Sequence, residues 1–355
     1  MKEKFERLDN HIRKNNLFNG NLLVARKDEV IYQGSFGYTF GSKQKELINS
    51  NTIFELASVS KQFTAYATLF AFKTARVDID DDIRKFIPDF PYENISTRNL
   101  LNHTSGLPDY FSILDENWDK NKIACNKDVL DLIIKVNPKI HFLPNEKWEY
   151  SNTGYLLLAS LIEIISGTSF AEYIETNIFK PIAMHNSFVY NRRLKPRVIN
   201  NYAYGTVYNE EKNIFELPDN IPDYNVVFYL DGIQGDGTVN STTSDLLKWN
   251  NEILNKNILD SSLIDIMLSN TLILNNEKVG YGMGWIINDD ADLGKVVYHG
   301  GSWHGYSTYN SIYLGEGYSI VSLSNQPKSL EIEQQIIIAM ENILFDKPFE
   351  LPNNE

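Results

Sequence analysis

The chain has 355 residues, 43% hydrophobic and 12% aromatic, with 33 basic against 46 acidic side chains and a formal charge of −13. That is enough apolar material for the core of one large or two modest domains, and the acidic balance argues against nucleic acid or an anionic membrane surface as partner. Cys125 is the only cysteine, which excludes an intrachain disulfide and a cysteine-based metal site.

The first sixteen residues, "MKEKFERLDNHIRKNN", place Phe5, Leu8 and Ile12 at helical spacing and lack the apolar core of a signal peptide. No apolar run approaches the ~20 residues of a membrane-spanning helix. The expectation is a protein with no membrane-spanning segment, cytoplasmic as given, or exported if an N-terminal signal has been trimmed. "NLLVARKDEVIYQGSFGY" follows, alternating apolar and polar positions around "KDE", and predicts an antiparallel hairpin.

"FELASVSKQFTAY" then predicts a helix starting near Ser58. Phe63, Ala65, Tyr66, Ala67, Leu69, Phe70, Ala71 and Phe72 cover nearly every direction around it, the pattern of a buried helix. Ser58 and Lys61, at i and i+3, share one face a turn apart. Unpaired N–H groups of a first helical turn suit a developing oxyanion, while burial and the helix dipole disfavour an ammonium. A lysine so placed is a usable base for a serine nucleophile. The same tetrapeptide also fits an N-cap serine followed by a lysine reaching outward. Ser60 is a second hydroxyl, on a face that Lys61 does not share.

Residues 79–257 read as helices and long loops. In "EKWEYSNTGYLLLASLIEIISG" an apolar helix begins after Asn152, leaving Tyr150, Ser151 and Asn152 on its lip, as helix caps or as functional groups. Near the other end, "KVVYHGG", "YSTYNSIYL", a "GEG" turn and "YSIVSLSN" predict further strands, followed by a helix with Ile336, Ile337, Met340, Ile343 and Leu344 on one stripe. The His299-Gly300-Gly301 stretch has so little side-chain bulk that another chain or a ligand can approach its backbone; a strand bend is the alternative. Strands and amphipathic helices at both ends suggest one sheet interrupted by an insertion.

S-x-x-K at a buried helix start, Y-S-N before a second helix and H-x-G on a late strand occur in that order. With "DIDDDIRKFIPDFP", "ISTRNLLNHTSGLPDY", "NIFKPIAM" and "GDGTVNSTTSDLLKW", they resemble the serine β-lactamase and penicillin-binding-protein superfamily over roughly residues 20–345. The likeness is to its branch of class C β-lactamases, D-stereospecific peptidases and carboxylesterases. The resemblance implies an α/β (α+β) fold: an antiparallel sheet flanked by helices, built from residues 1–78 and 258–355. A mainly helical domain of residues 79–257 is inserted, with the active-site cleft between the two.

The resemblance also implies roles. Ser58 is the nucleophile that forms an acyl-enzyme, and Lys61 shares its proton relay. Tyr150 acts as base toward Ser58 and acid toward the leaving group. A phenol of ordinary pKa, ~10, needs a nearby cation for this near neutrality, and Lys61 is that cation. Asn152, His299, Gly301 and Ser302 bind substrate, and the backbone N–H groups of Ser58 and Ser302 form the oxyanion hole. No metal ligand spacing is present around His103 or His304, and no cofactor is called for. The family's β-lactamases usually carry lysine where His299 stands, so a substrate carboxylate loses its cation and gains only a neutral hydrogen-bond donor. The expected function is a serine hydrolase acting on a small-molecule or short-peptide substrate, with an amide bond of a D-amino-acid peptide or a small ester as target. A β-lactamase or D-alanyl-D-alanine carboxypeptidase is the alternative within that chemistry, and a non-catalytic penicillin or cell-wall-fragment sensor the alternative outside it. Oligomeric state is left open.

Overall fold

A computed structural model describes residues 1–40, 44–327 and 329–353. Its largest sheet has six antiparallel strands: β1 (Gly20–Arg26), β2 (Glu29–Phe36), β3 (Ile286–Asp290), β4 (Gly294–Trp303), β5 (Tyr306–Tyr313) and β6 (Tyr318–Ser324). Their order is β3-β4-β5-β6-β1-β2. β1 pairs directly with β6, Leu22 opposite Ser322, so the two chain ends meet in the middle of one sheet. The helices that matter for the site and its support are α1 (Lys2–Asn15), α2 (Ser60–Ala75), α3 (Tyr110–Asn117), α4 (Asn152–Ser166), α5 (Thr243–Asn255) and α6 (Leu330–Leu344).

Helices cover both faces of the sheet. On one face Phe5, Leu8 and Ile12 of α1 and Ile336, Met340 and Ile343 of α6 pack with Leu22, Val24 and Ile320. On the other, Leu23, Val321 and Leu323 join a cluster that runs through Phe63, Tyr66 and Trp249 to Leu157 and Leu161 of α4. Successive side chains of a strand point to opposite faces. β1 was expected to alternate apolar and polar, yet it is buried on both sides from Gly20 to Ala25 because each of its faces meets a helical layer. α5, which falls in the intervening 79–257 stretch of the sequence, lies against the central strands through contacts with β1 and β6.

That stretch also contains strands too short to show a period, among them Phe188–Val189 and Val239–Ser241. These two join Phe54–Glu55 in a three-stranded sheet centred on Val239–Ser241, and this small sheet holds the approach to Ser58. Leu56 N–H donates to Val239 O at 2.8 Å, and Thr308 Oγ1 of β5 donates to Leu56 O at 2.6 Å. Among the described residues no single helix is long and apolar enough to cross a membrane.

Candidate active site

The helix-start reading of Ser58 holds with one refinement. Ala57–Val59 forms a 3-10 turn that runs into α2. Ala57, immediately before Ser58, sits at φ 47°, a left-handed conformation uncommon for a residue with a Cβ. Backbone strain of this kind persists only where surrounding structure enforces it, and here the two Leu56 hydrogen bonds do so. α2 is buried all round, and Lys61 is fully buried. Ser60 is not the reactive hydroxyl: its Oγ accepts from Val239 N–H at 3.1 Å and ties α2 to the small sheet.

Lys61 Nζ donates to Ser58 Oγ at 3.2 Å, to Asn152 Oδ1 at 2.9 Å and to the Asp236 carbonyl at 2.8 Å. Three acceptors match the three N–H groups of an ammonium. The same nitrogen stands 4.9 Å from the centre of the Tyr150 ring, so the cation expected beside the phenol is in place. Among the described residues it is Lys61, not Tyr150, that hydrogen-bonds Ser58. Tyr150, Ser58, His299, Gly301 and Ser302 line one lobe of the cleft, and Asn152, Ser58 and Ser302 line the other. All seven residues singled out in the sequence therefore converge on one cleft.

Asn152 is held on both sides. Its Nδ2 and backbone N–H donate to Asp109 Oδ2 at 3.0 and 3.3 Å, while its Oδ1 receives Lys61. One amide N–H remains without a protein acceptor among the described residues and is the donor it can offer a substrate. Ser151 is a cap, accepting from Gly154 N–H. Asp109 and Asp236 carried no assigned chemistry in the sequence. Burial raises the Asp236 carboxyl above its usual range against the opposing pull of Lys61, and the Tyr110 hydroxyl donates to it at 2.8 Å.

His299 departs from expectation. Its Nδ1 lies 2.6 Å from Gly300 O, which can only accept, so that nitrogen carries the proton; Nε2 then accepts from the Tyr281 hydroxyl at 3.2 Å. Both ring nitrogens are spent inside the protein. Burial, reinforced by the Lys61 charge, lowers its pKa to about 3. The donor expected to face the substrate is thus a neutral strut holding β4, and the cleft loses even that polar contact.

Gly301 has a purpose the sequence only hinted at. A Cβ there would stand 2.3 Å from both Leu56 O and Thr308 Oγ1 and 3.1 Å from Ser58 N. Only a glycine lets β4 lie this close to the Ser58 backbone. The sequence also left Tyr202, Tyr204, Phe228 and Tyr229 undecided between pocket and packing. None of them lines the lobe that Asn152 faces; its aromatic wall is Tyr110, Phe111, Tyr190 and Trp303.

A residue missed by sequence reasoning braces Tyr150. His103, buried at φ 62°, accepts Glu149 N–H on its carbonyl at 3.0 Å and Ser151 N–H on Nδ1 at 3.1 Å. Its ring lies 4.4 Å from that of Tyr150. The clamp needs a neutral imidazole, and burial, reinforced by the Lys61 charge, keeps its pKa well below the ordinary value. His103→Leu leaves the Ser151 N–H buried and unpaired, which costs about 1–3 kcal/mol. We expect kcat to fall about tenfold with KM little changed, as for a misplaced proton-transfer group. His103→Asn keeps an acceptor and tolerates positive φ, and should recover most of the melting temperature and rate; equal losses in both variants would refute the clamp.

Comparison with known proteins agrees with this geometry. The family model described as Beta-lactamase matches residues 7–344. Penicillin-binding protein 4* of Bacillus subtilis (strain 168) is 42% identical over 335 residues, covering 94% of this chain and 74% of that protein. The crystal structure of a penicillin binding protein from Bacillus halodurans superposes with a TM-score of 0.80 at 23% identity, covering 95% of this chain and 98% of that one. D-amino acid amidase from Ochrobactrum anthropi SV3, complexed with L-phenylalanine amide, gives 0.75 at 22% identity over 96% of this chain and 98% of its own. A match over nearly the whole chain, on a fold that gathers Ser58, Lys61 and Tyr150 in one cleft, shows that the chain belongs to the beta-lactamase family of serine hydrolases.

Proposed function

We propose that the chain hydrolyses amide bonds of D-amino-acid peptides and small esters through a Ser58 acyl-enzyme. One observation carries the substrate reading: the described residues lining the two lobes of the cleft include no lysine or arginine, while Glu55, Asp231, Asp236 and Glu333 are among them. Among the described residues the ammonium beside the nucleophile, Lys61, is buried and committed to three acceptors. A β-lactam or a D-alanyl-D-alanine terminus brings a carboxylate, for which the described lining offers no cationic partner.

Ser58 Oγ attacks the carbonyl carbon and passes its proton to the Tyr150 oxygen, whose charge the Lys61 ammonium offsets. The oxyanion forms against the backbone N–H groups of Ser58 and Ser302. Collapse breaks the bond to the leaving amine or alcohol, which takes the proton back from Tyr150. Water then attacks the ester, with Tyr150 again as base, and frees Ser58.

The test is a kinetic comparison of p-nitrophenyl acetate and a D-phenylalanine p-nitroanilide with a chromogenic cephalosporin, using Ser58→Ala as control. The ester and anilide should exceed the cephalosporin in kcat/KM by roughly 10–100-fold, the worth of one missing charge-assisted hydrogen bond. Efficient cephalosporin turnover would overturn the substrate reading. Hydrolysis that survives Ser58→Ala would overturn the mechanism.

A further inference from the structure

The lobe that Asn152 faces has an aromatic and aliphatic wall, with Tyr110, Phe111, Trp303 and Leu230 among its residues, and Glu55 is part of it three residues before Ser58. Each other carboxylate of this lobe has a partner. Asp236 receives the Tyr110 hydroxyl at 2.8 Å. Asp231 accepts from Arg193 Nη1 at 3.0 Å and from the backbone N–H groups of Arg193 and Leu194 at 2.7 and 2.8 Å. Among the described residues no hydrogen bond or ion pair reaches the Glu55 side chain.

The charges behind it already balance. Arg193 bonds Asp219 at 2.6 Å as well as Asp231, and Arg192 bonds Asp219 too. Two arginines meet two aspartates, and Glu55 is the fifth, unmatched group. Its fold role is carried by the backbone, which pairs with Asn240 in the small sheet, so an apolar or amide side chain would serve that role equally. An unmatched carboxylate beside a nucleophile, in a partly desolvated lobe, is costly unless a bound cation completes it.

We propose that Glu55 is a specificity-determining residue: its carboxylate receives a primary ammonium carried on the acyl half of the substrate, next to an aromatic or aliphatic side chain. The chain then prefers amides and esters whose acyl group bears a free amine over their N-acylated counterparts. This rests on the acyl-enzyme reading above and narrows it.

The electrostatics give a second signature. Burial pushes the Glu55 carboxyl up to about 7; Arg193 and Arg192 pull it down and Asp231 pushes it up. The phenols Tyr202 and Tyr306, which also feel Glu55, are themselves raised by burial and stay neutral. An ammonium binds the ionised carboxylate, so affinity for the amine rises as pH climbs through about 7, and binding below that pH releases a proton.

Calorimetry of phenethylamine and N-acetylphenethylamine on the Ser58→Ala protein reads the site without turnover. We expect the amine to bind at least about tenfold tighter at pH 8 than its acetylated form, as for a desolvated charge-assisted bond, and the preference to vanish in Ser58→Ala/Glu55→Gln. Kinetics of D-phenylalanine p-nitroanilide and its N-acetyl form should show the same ratio in the otherwise wild-type chain and its loss in Glu55→Gln. Equal binding of the two ligands, or a preference untouched by Glu55→Gln, would overturn the assignment even if both anilides are hydrolysed. A Glu55-dependent binding preference with no hydrolysis of any ester or anilide would support the assignment and overturn the proposed substrates instead.

Discussion

Lys61→Met should lower kcat/KM for ester hydrolysis by about 10³–10⁴-fold, the scale of losing a proton-relay partner, and abolish labelling of Ser58 by a fluorophosphonate on the same timescale. Methionine matches lysine in length and suits a fully buried position, so the loss is chemical rather than one of shape. Three things disappear with the amine. Ser58 Oγ loses its only hydrogen-bond partner among the described residues; Asn152 Oδ1 loses the donor that fixes it opposite Asp109; and Tyr150 loses the cation 4.9 Å from its ring. Circular dichroism and a melting curve separate this from unfolding. His299→Lys is the comparison: that side chain contacts Tyr281 and Gly300 rather than Ser58, so its change should cost stability first and far less rate than Lys61→Met. A Lys61→Met protein within tenfold of wild type would remove Lys61 from the relay.

Gly301→Ala should cost about 10²–10³-fold in kcat, the scale of losing one oxyanion donor, together with about 1–3 kcal/mol of stability from overpacking. The added methyl would sit 2.3 Å from Leu56 O, a backbone atom anchored from two sides, so it cannot be accommodated by a side-chain swing. Either β4 backs away from Ser58 or the Ala57 turn deforms, and both separate the Ser58 and Ser302 N–H groups on which the proposed mechanism relies. Gly300→Ala provides the contrast. The nearest atom to its Cβ, Thr308 O, is 3.9 Å away, an ordinary contact, and that variant should stay within about twofold of wild type. Equal rates for the two variants would show that the close approach of β4 has no part in catalysis.

The parts of this site that were legible in the sequence are those written in local patterns. α2 announces its burial through apolar residues in every direction, which makes Lys61 conspicuous, and the terminal strands and helices show their periods plainly. What was illegible lies in long-range pairing. Asp109 meets Asn152 43 positions away, and the Asp236 carbonyl meets Lys61 across 175; neither aspartate differs in its own neighbourhood from a turn residue. His299 was assigned to the substrate through its resemblance to the family motif, whereas Tyr281, which occupies its Nε2, comes from a loop whose path no period reveals. β1 was read as half-exposed because strand alternation says nothing about a second helical layer.

The adjacency of β1 and β6 makes this a machine that cannot start early. Ser58, Lys61 and Tyr150 leave the ribosome well before Gly301 and Ser302, and β4, which lies against Ser58, must still find its place beside β5 and, through it and β6, the opening hairpin. Contacts so distant in sequence form late, after the local helices. A chain made only as far as Tyr150 therefore lacks the strands that close the cleft, which is complete only once β4, β5 and β6 have joined the opening hairpin.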